Sequence, residues 1–128
     1  MTIVTRRPRN AYRSGTYSGT TPWNPSVDIV ERDEGFTLTF DLPGINREDI
    51  GLHVKEGILT VKGDRPAPEA SGEKHYTHYE RPAGEFERSF RIPDHVDAGN
   101  IEAAYENGVL ALTLPRKAEA QPRTITIK

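Results

Sequence analysis

An antiparallel β-sandwich is the fold class this chain predicts, and three observations carry it. Apolar and polar residues alternate in several short runs, cleanest where Phe36, Leu38, Phe40 and Leu42 share one face. Turn residues interrupt the chain about every 8–12 residues, as in sandwich folds. No segment sustains the period of about 3.6 residues that an amphipathic helix requires.

Each element follows from local chemistry. Residues 1–22 are rich in Arg, Gly, Ser, Thr, Tyr and Pro without a period, which predicts a flexible N-terminal arm. Trp23-Asn24-Pro25 opens a domain that runs over residues 23–116. Val27-Asp28-Ile29-Val30-Glu31-Arg32 partly alternates, and Asp33-Glu34-Gly35 turns the chain into the strand Phe36-Thr37-Leu38-Thr39-Phe40-Asp41-Leu42. Pro43-Gly44 stops that strand. Asn46-Arg47-Glu48-Asp49 fits one helical turn with Asn46 as its cap. Ile50, Leu52 and Val54 alternate with Gly51, His53 and Lys55, and Glu56-Gly57 turns into Ile58-Leu59-Thr60-Val61-Lys62.

From Asp64 to Glu73 the chain reads as an extended polar loop. The excursion continues through His75-Tyr76-Thr77-His78-Tyr79-Glu80, which has strand composition, and Pro82-Ala83-Gly84 breaks it. Phe86, Arg88, Phe90 and Ile92 then share a face up to Pro93. After a connection at 94–100, Ile101-Glu102-Ala103-Ala104-Tyr105 pairs with the run Val109 to Leu114 through Asn107-Gly108. That dipeptide is the strongest short hairpin signal. Residues 117–128 form a C-terminal extension, in which Ile125 and Ile127 alternate with Thr124, Thr126 and Lys128 beyond Pro115 and Pro122. A short apolar strand on a tether needs a groove to fill.

Composition bounds the function. The chain has 128 residues, 34% of them hydrophobic and 28% charged, so a core requires strict patterning or burial against another chain. Charge is uneven. The first 27 residues hold Arg6, Arg7, Arg9 and Arg13 and no acid, and the rest hold 13 basic and 19 acidic residues. Four arginines without a basic domain make few phosphate contacts, so a solvated tail is the reading and no nucleic-acid partner is expected. The absence of cysteine excludes disulfides and thiolate metal sites and permits a reducing compartment. No apolar run approaches the roughly 20 residues of a membrane-spanning helix. No signal-peptide stretch opens the sequence. A cytoplasmic location and no stable membrane insertion are expected. There is no phosphate-binding loop, no zinc-type spacing and no nucleophile elbow around Ser89, so neither catalysis nor a cofactor or metal is expected.

Several segments together resemble the small heat-shock proteins, built on the α-crystallin domain, of bacterial and plant type. Leu42-Pro43-Gly44 followed by Asp49-Ile50 is similar to a first landmark of that family, and Gly57-Ile58-Leu59-Thr60-Val61-Lys62-Gly63 to a second. Glu80-Arg81 with Gly84, Phe86, Arg88, Phe90 and Ile92-Pro93 is similar to a third. Ala103 with Asn107-Gly108-Val109-Leu110, Leu112 and Leu114-Pro115 resembles its signature hairpin. Ile125-x-Ile127 resembles its C-terminal docking motif. The sequence departs from the family in an arm that is short and poor in aliphatic residues.

The resemblance implies an immunoglobulin-like sandwich, homodimers that assemble into larger oligomers, and ATP-independent binding of unfolding proteins. It implies that Ile125 and Ile127 of one chain dock in a groove on another, between strands carrying Ile50, Leu52 and Val54 and Ile101, Ala103 and Tyr105. That groove would also take clients, together with Ile3, Val4, Tyr12, Tyr17 and Trp23 of the arm. It implies strand exchange between partners through His75, Tyr76, Thr77, His78, Tyr79 and Glu80. ATP-dependent refolding chaperones would be indirect partners. The alternative is a monomeric co-chaperone-like sandwich that docks on a larger chaperone.

Some side chains carry two readings. Arg88 shares a face with Phe86 and Phe90, so it either snorkels or pairs with a carboxylate at a subunit boundary, the second being favoured. Arg116 is either an intersubunit ion-pair partner or an ordinary surface ending. Trp23 is either a client contact or, as is commoner beside Pro-containing turns, a lid on the sandwich end. His75 and His78 point to opposite faces of a strand and do not chelate one ion. His53 lies in the solvent-facing phase.

Overall fold

A computed structural model describes residues 4–6, 23–66, 77–78, 80–118 and 124–128. Eight strands occur among them: β1 (Val4–Arg6), β2 (Val27–Arg32), β3 (Gly35–Asp41), β4 (Ile50–Lys55), β5 (Ile58–Arg65), β6 (Gly84–Arg91), β7 (Glu102–Glu106) and β8 (Val109–Pro115). They form two antiparallel sheets of four, in the orders β1-β6-β5-β4 and β2-β3-β8-β7. Helical structure among the described residues is confined to 3-10 turns, as at Arg47–Asp49 and Ala98–Asn100. The chain is thus an all-β, immunoglobulin-like sandwich. No helix of the described residues is long and apolar enough to cross a membrane.

Period-two patterning builds the core. In β3, Phe36, Leu38 and Phe40 point inward, and the register sets them opposite Leu114, Leu112 and Leu110 of β8. Residues directly opposite in an antiparallel pair share a face, so these six form one continuous apolar layer. The other sheet meets it with Leu59 and Val61 of β5 and Phe86 and Phe90 of β6. Phe40 and Phe90 cross edge to face with centroids 5.6 Å apart, a preferred ring geometry.

Two hairpin turns close by the same backbone solution. Glu56 and Gly57 have φ of 52° and 75°, and Asn107 and Gly108 have 54° and 76°. Two consecutive positive φ values match the right-handed twist of the flanking strands, and Asn and Gly tolerate them best. The second turn is held further by Leu42, whose N–H donates to the Gly108 carbonyl at 2.7 Å.

The structure alters three local expectations and adds one cap. Val4–Arg6 lies within the expected flexible arm, yet it forms β1 along β6, with Val4 beside Arg91 and Arg6 beside Ser89. An unpaired edge accepts a short strand even where sequence pattern is weak. Asn46 does not cap its turn through the backbone; its amide lies 3.4 Å from the Asp49 carboxylate instead. Asp97 does act as a cap, accepting from the Gly99 N–H at 3.3 Å. β5 runs three residues beyond Lys62, to Arg65, because Asp64 and Arg65 still pair with Glu85 and Gly84.

Arg65 has a structural role that no local sequence pattern announces. It is buried, 7% exposed. Its Nε donates to the Pro82 carbonyl at 2.8 Å and its Nη1 to the Pro43 carbonyl at 3.2 Å, and Nη2 also donates to Pro82. The guanidinium lies 4.2 Å from the Trp23 ring centroid, within cation–π range. One side chain thus ties the start of the domain, the end of β3 and the return of the 66–83 excursion together.

Leu38 is fully buried at the centre of this core. Leu38→Ala is expected to lower unfolding free energy by about 2–5 kcal/mol. Denaturant titration checks this: the midpoint should fall while the slope stays unchanged.

Candidate functional site

β4 and β7 are the end strands of their respective sheets, and they lie on the same side of the sandwich. A cleft of about 660 Å³ opens between them, lined by Arg47, Ile50, Leu52, Ala103, Tyr105 and Leu110 among others. Its origin is positional. Side chains on the inner face of a central strand meet the opposite sheet, while those of an end strand meet it only partly. Leu52 and Val54 therefore remain 37% exposed although they sit in the inward phase of β4. On β7 the inward position opposite Leu112 is Ala103, and its small side chain leaves the cleft open.

Polar contacts hold the cleft in shape. The Tyr105 hydroxyl lies 2.5 Å from the Leu42 carbonyl and 3.0 Å from the Ile45 carbonyl, so its one proton is shared between them. Arg47 Nη2 donates to the Tyr105 carbonyl at 3.2 Å. These bonds tie β7, at the edge of one sheet, to the connection leading into β4, at the edge of the other.

Of the residues named for this groove, Ile50, Leu52, Ala103 and Tyr105 line the cleft together. Val54 continues the exposed apolar row beyond the lining, and Ile101 packs against the core. Leu110 and Arg47 were not foreseen. Leu110 follows from the hairpin register, which sets it opposite Tyr105. Arg47 carries no sequence signal, because its reach depends on how the turn before β4 is oriented. Ile125 and Ile127 are 82% and 94% exposed.

Other named residues stand as follows. Trp23 is not an open client contact: it is 6% exposed, crosses Phe86 edge to face at 5.2 Å, and donates from Nε1 to the Gly84 carbonyl at 3.1 Å. A large ring with a polar handle is satisfied there as a lid on the sandwich end. Arg88 is 4% exposed, buried within its own chain. Its Nη1 donates to the Pro25 carbonyl at 2.8 Å, and the guanidinium lies 5.4 Å from the Phe90 ring centroid. Arg116 pairs with Glu31 of its own chain at 3.1 Å. Thr77, His78 and Glu80 lie outside any strand, with His78 Nε2 2.8 Å from a Glu80 oxygen. His75, Tyr76 and Tyr79 lie outside the described residues, as do Ile3, Tyr12 and Tyr17; Val4 is placed in β1. His53 is exposed, as its strand phase predicts.

Two four-stranded antiparallel sheets packed face to face, with a cleft between their end strands, define the class as an immunoglobulin-like β-sandwich protein. The chain belongs to the Hsp20/alpha crystallin family, whose pattern matches residues 28–128. It is 37% identical over 121 residues to small heat shock protein C2 of Rickettsia felis, covering 93% of this chain and 79% of that one. It is 34% identical over 105 residues to the 17.6 kDa class I heat shock protein 3 of Arabidopsis thaliana, covering 81% and 67%. Among solved structures it is similar to a small heat-shock protein from Xylella fastidiosa, with a TM-score of 0.71, 40% identity, and coverage of 83% and 97%. Heat shock protein 16.0 of Schizosaccharomyces pombe follows at a TM-score of 0.69 and 36% identity, covering 81% and 97%. Small heat-shock proteins are chaperones rather than enzymes, and they form oligomers.

The shared Tyr105 proton is expected to set the rigidity of the cleft. Tyr105→Phe should cost about 0.5–1.5 kcal/mol of stability. In hydrogen exchange, the amides of β7 should lose protection more than those of β3, which lies two strands away within the same sheet.

Proposed function

We propose that this chain is an ATP-independent holdase that binds exposed apolar segments of unfolding proteins and keeps them from aggregating, in the cytoplasm. The observation that supports it most is the cleft itself. It joins exposed apolar side chains to two sheet edges, and such an edge offers backbone donors and acceptors to any extended segment. Recognition of this kind reads alternation and apolarity rather than sequence, which suits clients of many kinds. Refolding falls to ATP-dependent chaperones acting on the released client.

The same cleft serves assembly. Alternate residues of an extended strand lie about 7 Å apart on one face, the spacing that Leu52 and Val54 present on β4 and that Ile125 and Ile127 present on the tail. Each buried isoleucine contributes about 1.5–3 kcal/mol, so two make a contact that is specific and reversible. The tail of one chain occupies the cleft of a neighbour at rest and yields to clients under stress. Homodimers form by exchange of the segment 75–80 onto a free sheet edge of the partner. β2 is the end strand of its sheet, with Val30 46% exposed, and offers such an edge. The domain of residues 23–116 carries both surfaces, and residues 117–128 carry the tail. The monomeric adaptor reading has no use for a detached Ile-x-Ile tail.

Ile125→Ala with Ile127→Ala should shrink the particle toward dimers without loss of β-structure, as read by sedimentation and circular dichroism. An unchanged particle mass would remove the tail from assembly. Deleting residues 73–81 with a short Gly-Ser closure should yield folded monomers at micromolar concentration, and persistent dimers would exclude strand exchange. A heat-aggregated test client should stay soluble with the intact protein in chelator and without nucleotide. Protection that appeared only with ATP would sink the holdase reading.

A further inference from the structure

We infer that the outer face of the β4–β5–β6 sheet is a landing site for the chain's own arginine-rich arm. A second cleft, of about 700 Å³, opens at one end of that sheet, and Ile50 lines both it and the cleft between β4 and β7. Glu48, Asp49, Asp64, Glu85 and Glu87 line it against a single ammonium, that of Lys62, and Phe86 lies beneath. Lys62 stands opposite Glu87, but Asp64 stands directly opposite Glu85. Two carboxylates facing each other across a strand pair repel, and a cation laid over them removes that repulsion. None of the five carboxylates makes an ion pair among the described residues. Nor do three His, Asp or Glu side chains converge on a metal position among the described residues, which favours a charged chain over a bound ion.

The occupant is named by charge and by chain direction. The first 27 residues carry Arg6, Arg7, Arg9 and Arg13 with no acid, a charge equal and opposite to the net charge of the cleft lining. β1 delivers them. It runs antiparallel to β6 with Arg6 beside Ser89, so a chain leaving Arg6 in that direction heads toward Glu87 and then Glu85. Arg13 lies seven residues further, up to about 23 Å of extended chain, and two strand spacings from β6 to β4 span only about 10 Å. β1 runs along β6 of the same chain, which sets the start of the arm beside this sheet. The contact is electrostatic and exposed, so salt weakens it. While it lasts, it draws residues 7–13, Tyr12 among them, toward the sheet.

The chain has no cysteine, so two introduced ones take spin labels without ambiguity. Ser14→Cys marks the arm and His53→Cys marks the exposed outer face of β4. In the full-length protein, diluted into excess unlabelled chain, pulsed electron resonance at low salt should give a narrow, short distance between them. That distance should broaden in Asp64→Asn/Glu85→Gln, in Arg7→Gln/Arg9→Gln, and at about 1 M salt, where the screening length is about 3 Å. The Asn and Gln replacements keep shape and relieve repulsion, so loss of fold is not the reason for a change; circular dichroism verifies that. A broad distribution in the unaltered chain, or a narrow one that neither charge-removing variant disturbs, overturns the inference. A narrow distance that disappears on dilution also overturns it, because the arm then belongs to a neighbouring chain.

Discussion

Two sheets of four strands meet through their middle strands, and this limits how much apolar surface the chain hides by itself. β3 and β8 face β5 and β6, and their inward residues are nearly all buried. The end strands β4 and β7 repeat the same inward pattern with little left to cover them. The exposed Leu52 and Val54 are the direct result. A chain that needed only to fold would place polar residues there, or a helix over them. This one keeps an apolar row along an open edge and carries a second apolar pair, Ile125 and Ile127, at the far end of its tail.

Buried arginines make the sandwich tolerant of that open design. Arg65 and Arg88 point inward from neighbouring strands at the end of the sandwich where Trp23 and Pro25 enter. Each donates to carbonyls that belong to no strand: Pro82 and Pro43 for Arg65, Pro25 for Arg88. Buried charge is costly unless it is hydrogen-bonded, and a carbonyl of a proline-containing connection accepts from each of these guanidiniums. Planar guanidinium also stacks on Trp23 and approaches Phe90, so the same groups contribute to packing. Connections that would otherwise be loosely held are tied to the core, which keeps the neck of the 66–83 excursion in place beside the sheet edges.

The two clefts divide the surface by chemistry. One lies between the sheets beside the exposed Leu52 and Val54, where the proposed extended apolar segment would gain burial and backbone pairing together. The other is acidic and lies on the outside of one sheet, where a cationic chain gains neutralisation. Burial depends weakly on salt, and surface pairing depends on it strongly. The docking proposed at the two sites therefore depends on different conditions, and the two terminal segments differ in the same way: one carries isoleucines, the other arginines.

The sandwich, its hairpins and the inward residues were legible in the sequence because a strand's period of two is local: Phe36, Leu38 and Phe40 announce a buried face whatever they pack against. Asn107-Gly108 announced the hairpin because two positive φ values are required there. The motif resemblance pointed to the groove strands, and Ile50, Leu52, Ala103 and Tyr105 do line one cleft. What the sequence left open was everything that depends on which elements become neighbours. Arg65 read as the start of a polar loop, because nothing local shows that Pro43, Pro82 and Trp23 converge on it. Arg88 read as a boundary residue, because the Pro25 carbonyl that accepts its hydrogen bond is 63 residues away in sequence. Val4–Arg6 read as arm, because a three-residue strand is specified by the edge it joins. Sequence alone determined which face of each strand is apolar; tertiary structure decided which of those faces stays uncovered, because that depends on a strand's place in its sheet.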